Sequence, residues 1–123
     1  MVNNVVVEIT RKIPLGTLLT TPSGRSKFEF NHIDSSRVLL HVGKTKTTLL
    51  VPTSCFEEIP KFLKGKGWVT IGAIHDNSTG DTLDNFIKKY THGTSAASYV
   101  ASILEKAKII EILKERPAKV RLL

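Results

Sequence analysis

Up to residue 52 the apolar positions alternate with polar ones or fall in short β-branched runs, which is the period of strands. Val5, Val6, Val7 and Ile9 form the first such run. Residues 27–33 alternate and place Phe28, Phe30 and His32 on one face. Residues 37–42 and 47–51 read as two further strands, reached through polar turns at Asp34-Ser35-Ser36 and Gly43-Lys44-Thr45-Lys46. Such short spacings predict an antiparallel meander of three strands, joined by the first run. A polar loop at residues 20–26 precedes it.

From residue 53 the period lengthens. Ser54 followed by Glu57 is a capping-box pattern that starts a helix. Pro60 within it predicts a kink or a restart, and Gly65 and Gly67 a stop. Residues 68–74 read as a strand; Trp68, which follows the basic patch of Lys61, Lys64 and Lys66, is expected to be a core anchor rather than a base-stacking ring. Residues 81–90 form an amphipathic helix, capped by Asp81, with Leu83, Phe86 and Ile87 on one side and Lys88 and Lys89 on the other. The segment Thr91-His92-Gly93-Thr94 interrupts it, Gly93 supplying backbone freedom and Thr94 or Ser95 a cap for the next helix. In residues 95–107 the apolar positions are Ala96, Val100, Ile103, Leu104 and Ala107, the spacing of a helix with one buried face. Residues 109–113 and 120–122 then flank a basic tip containing Pro117, as in a β-hairpin.

Helix, strand, helix, helix, strand, strand is the order of a winged helix-turn-helix unit. The phrase Leu104-Glu105-Lys106-Ala107-Lys108-Ile109-Ile110 is similar to the "L-E-x-x-G-L-V" join between recognition helix and wing strand in that superfamily. Lys108 stands where those proteins usually carry Gly, so the turn must be made without the easy left-handed residue. The resemblance, which rests on the carboxy-terminal third, implies a winged-helix unit at residues 53–123; with the antiparallel β extension that the pattern predicts at residues 1–52, the expected fold is α+β. No linker-like stretch separates the two, so they are expected to pack as one body.

The chain has 123 residues, enough for one domain with a core of its own. Eighteen Lys and Arg against eleven Asp and Glu give a net charge of +7, and the pI is about 9.7. A basic surplus of this size favours a polyanionic partner. The apolar fraction is 41% with no run long enough to span a membrane, and the amino terminus lacks the pattern of a secretion signal. The single Cys55 excludes an intrachain disulfide. A cytoplasmic protein is expected.

Reactive chemistry is sparse. Gly43-Lys44-Thr45 lacks the first glycine of a phosphate loop, because position 38 is Val38. The polar run Asp76, Asn77, Ser78, Gly80, Asp81 has its glycine one position early for a calcium loop, and Ile87 stands where the closing acid belongs. His32, His41, His75 and His92 lack ligand spacing, so no metal and no cofactor is expected. Cys55, followed by Phe56 at a helix start, reads as a buried thiol filling a core gap, and a catalytic role is not expected.

In winged-helix proteins the second helix of the turn motif enters the major groove and the hairpin reaches a phosphate backbone or minor groove. That resemblance assigns DNA contacts to the outward positions Ser95, Ser98, Tyr99, Ser102 and Lys106, and to Arg116, Lys119 and Arg121 of the wing. Lys64, Lys66, Lys88 and Lys89 would add phosphate contacts. None of the helix positions is Arg, Asn or Gln, the residues that read guanine or adenine bidentately, so sequence discrimination should be weak. Duplex DNA is the expected partner, in transcription regulation or DNA organisation. The competing reading is a protein-interaction module, including a homodimer, because Ala96-Ala97-Ser98 with Ala101 and Ser102 makes a smooth face suited to close helix approach.

Overall fold

The computed structural model describes residues 4–72, 82–92, 96–114 and 118–123. Eleven elements are assigned there: α1 (Asn4–Lys12), β1 (Thr17–Thr20), β2 (Lys27–Ile33), β3 (Arg37–Val42), β4 (Thr47–Pro52), α2 (Thr53–Leu63), β5 (Val69–Thr70), α3 (Leu83–Thr91), α4 (Ala97–Lys106), β6 (Ile110–Leu113) and β7 (Lys119–Leu122).

The first segment corrects the expectation of a strand: Val5 to Ile9 lies in α1. Burial explains why. Val5, Ile9 and Ile13 are buried while Val7 is 50% exposed. Four-residue spacing fits a helix packed on one side, and tertiary burial overrides β-branched propensity. Glu57 of α2 helps start α1, its carboxylate accepting from the backbone N–H groups of Val5 and Val6. The Ser54/Glu57 capping box is therefore not formed: α2 begins after Pro52 with no side-chain cap, and Glu57 serves another helix. Nor does Pro60 restart the helix, since α2 runs through it to Leu63. Gly65 and Gly67 follow with positive φ.

The meander forms as patterned, with β1 rather than the Val5 run as its additional strand. The sheet order is β1-β2-β3-β4, antiparallel throughout. A register shift between Phe30 and His32 breaks the alternation, so Phe28 and Phe30 are buried while His32 is exposed.

The described residues of the rest of the chain follow the element order of a winged helix, with α3 and α4 followed by a β-hairpin. After α2, strand β5 joins the carboxy-terminal hairpin in a second antiparallel sheet of order β5-β7-β6. Thr82 caps α3, its hydroxyl accepting from Asn85 N–H. His92 closes α3 in the left-handed conformation at φ 55°. The expected roles of Asp81, Gly93, Thr94 and Ser95 at these helix ends lie outside the described residues. The join from α4 to β6 is made by Lys108 at φ 62°. Lys108 N–H reaches Glu105 O and Ile109 N–H reaches Leu104 O, the paired hydrogen bonds of a Schellman cap with lysine in the glycine position. Both sheets and all four helices contribute to one hydrophobic core, from Ile9 and Phe28 through Phe56, Leu83, Ile103 and Val120.

Candidate nucleic-acid interface

Helix α4 is largely enclosed. Ala97, Val100, Ala101, Ser102, Ile103 and Leu104 are buried; Tyr99 and Glu105 are half-buried; only Ser98 and Lys106, near opposite ends, are exposed. One side faces α3 and β6, and α1 and β1 pack on other parts of it. Ser102 corrects the expectation of an outward hydroxyl: it is 5% exposed and donates to Thr20 O of β1 at 2.8 Å. Tyr99 packs edge-on against Phe28 of β2, with ring centroids 5.1 Å apart. The smooth Ser/Ala face thus receives the chain's own amino-terminal sheet. No continuous α4 surface is left to enter a groove.

Placement of the remaining expected contacts divides into three sites. Ser98 and Tyr99 line a shallow cleft of about 370 Å³ with Arg25 and the 21–26 loop. Lys106 lies at the other end of α4, in a cleft with Lys12, Glu105 and Lys108. There Lys12 caps the helix, its ammonium donating to Ala107 O at 3.1 Å and pairing with Glu8 at 3.0 Å. Lys88 pairs with the buried Asp84 at 3.0 Å, which commits it within the fold. Ser95 and Arg116 lie outside the described residues.

The third group contains two separate sets of ring contacts, joined in the chain through Lys66-Gly67-Trp68. Lys66 Nζ lies 5.1 Å from the Phe62 ring centroid. Phe62 stacks on Phe86 of α3 at 4.4 Å, and Lys89 Nζ sits 5.9 Å from Phe86. Two residues beyond Lys66, Trp68 carries the Arg121 guanidinium 4.6 Å from its ring. The wing sheet explains the last contact. Val69 pairs with Val120 and Thr70 with Lys119, while Glu111 pairs with Arg121. Val69, Val120 and Ile110 point to the core, so Trp68, Thr70, Lys119, Arg121 and Glu111 share the outward face by strand alternation. Arg121 also pairs with Glu111. Trp68 is therefore no core anchor; it is 39% exposed. Its partnership with Arg121 depends on strand register, which a local reading of residues 65–70 does not reveal.

Charge is unevenly satisfied. Every described acidic side chain has a partner: Glu8, Glu58, Asp84, Glu105 and Glu111 pair with Lys or Arg. Glu29 and Asp34 meet His41 and His32, and Glu57 binds the start of α1. Lys64, Lys66, Lys89 and Lys119 have no acidic partner among the described residues. Burial pushes the Cys55 thiol up to about 12, which keeps it protonated and unreactive near neutrality. Among the described residues no three His, Cys, Asp or Glu side chains are grouped to hold a metal, and no helix is long and apolar enough to cross a membrane. No protein-family model, curated protein or solved structure matches the chain.

Proposed function

We propose that this chain is a member of the winged helix-turn-helix superfamily that binds nucleic acid, duplex DNA included, through phosphate contacts rather than base reading by α4. The contacting cations are Lys64, Lys66, Lys89, Lys119 and Arg121, from the α2–β5 loop, the last turns of α3 and the wing sheet. The observation that carries this reading is the charge balance among the described residues: five of their eight carboxylates pair with Lys or Arg and the other three meet His or backbone N–H groups, while four of these five cations have no acidic partner there. Phosphate contacts fix position without carrying sequence information, so the activity suits DNA organisation, or a subunit of a nucleic-acid-processing complex, better than a site-specific repressor.

A salt titration tests it. If five cations meet duplex phosphates, log affinity falls against log salt with a slope near −4.5. Lys64→Ala/Lys66→Ala/Lys119→Ala should flatten that slope by about 2.7. Binding unchanged between about 50 and 200 mM salt, or a triple variant with the parent slope, would refute it.

A second reading has one observation in its favour. The outward face of the four-stranded sheet carries Leu18, 70% exposed, and Leu50, 43% exposed. Exposed leucines on a sheet face suit a protein partner or a second copy, and light scattering across concentration distinguishes the two.

A further inference from the structure

We infer that Trp68 is a stacking platform for the bases of single-stranded nucleic acid, the unpaired strand running over the outer face of the wing sheet. The inference rests on the nucleic-acid reading above and adds its substrate class. A tryptophan is among the largest apolar side chains, and on a monomer surface it is stabilised by burial against something. Here β5 ends that burial: Val69 turns inward and leaves Trp68 outward, 39% exposed. Arg121 lies over the ring at 4.6 Å and is itself oriented by Glu111 across the hairpin. A guanidinium stacked over the indole covers one face of the ring and presents its own planar, charged outer face, so a base can stack on the guanidinium or on the other indole face while its phosphate meets the charge.

The surroundings favour a polyanion over an apolar partner. Lys119 lies on the same face of β7 as Arg121, two positions away. Lys64 and Lys66 precede Trp68 in the α2–β5 loop and are exposed. Glu111, the acid on this face, is engaged by Arg121. A cationic track beside an exposed aromatic is the combination that holds single strands without sequence preference, because every base presents a π-face. A regular duplex keeps its bases stacked on one another and would meet only the cations.

Trp68 is the chain's one tryptophan, so fluorescence excited selectively at tryptophan, beyond the tyrosine absorption band, reports this site alone. Oligo-dT, oligo-rU and a random duplex, each about 16 nucleotides long, are titrated into the full chain at low salt, with poly-glutamate as a polyanion without rings. Expected are strong quenching by both single strands, little by duplex and little by poly-glutamate. By anisotropy of labelled strands, Trp68→Ala should weaken oligo-dT binding about tenfold or more, and Trp68→Phe should recover most of it. Thermal melts of both variants check the fold. Duplex binding without Trp68 quenching by single strands overturns the platform and leaves the phosphate-binding reading standing. Equal quenching by poly-glutamate and oligo-dT overturns base stacking and points to an acidic protein partner. Absence of binding to any nucleic acid overturns both.

Discussion

Asp34 holds the β2–β3 turn through three donors at once. Its carboxylate accepts from the backbone N–H groups of Ser36 at 2.7 Å and Arg37 at 2.9 Å and meets His32 at 3.0 Å. Those backbone donors first, and His32 after them, lower its pKa from 3.8 to about 2. A carboxyl group depressed in the folded state stabilises it fully above the unfolded pKa. That contribution is lost as pH falls through the folded value. The pH dependence of unfolding free energy between about 4 and 2 should therefore be shallower in Asp34→Ala than in the parent, read by urea titration at each pH; equal slopes would contradict it. The turn at Asp34-Ser35-Ser36 was legible from residue types alone, because an Asx side chain closing on the next N–H groups is a local interaction. The fate of Glu57 was not. Its partner lies 51 positions away, and a capping-box spacing cannot show that a different helix start has taken the carboxylate.

Helix ends divide in the same way. The break between α3 and α4 and the stop after α4 were both expected, the latter with Lys108 in the place of the usual glycine; among the described residues His92 and Lys108 take the left-handed conformation there. A side chain in the left-handed region costs roughly 1 kcal/mol relative to glycine, partly offset by the extra freedom glycine has when unfolded. Lys108→Gly should accordingly stabilise the fold, by roughly 0.5 kcal/mol after the offset. Chemical denaturation checks this, and a destabilised variant would mean that the Lys108 side chain makes a contribution its cap geometry does not reveal. Helix α1 shows the reverse case. Its residues look like a strand in isolation, and only the burial of Val5, Ile9 and Ile13 against α2 and α4 makes helical spacing the better solution.

The amino-terminal sheet packs against α4, the second helix of the α3–α4 pair. That packing shifts the candidate interface to the wing sheet and the α2–β5 loop. It also predicts how the protein unfolds. Phe28 and Phe30 of the meander share one core with Phe56, Ile103 and Leu104, so the two parts should lose structure together. Urea unfolding followed by Trp68 fluorescence, which reports the wing sheet, and by far-ultraviolet circular dichroism, which reports the whole backbone, should give coincident transitions. A separate early transition in either signal would mean that the β extension folds apart from the winged-helix unit.

Periodicity and turn chemistry were enough to reveal the meander, the α3–turn–α4 pair, the hairpin and the basic character, because each depends on neighbours a few positions away or on composition. Tertiary contact decided that Val5 to Ile9 coils, that Ser102 turns inward to Thr20, and that Trp68 meets Arg121 on an open face. In each of these cases the deciding partner is distant in sequence. Local spacing specifies which side of a segment is apolar, but burial against a remote segment determines what covers that side and which surface remains for a ligand.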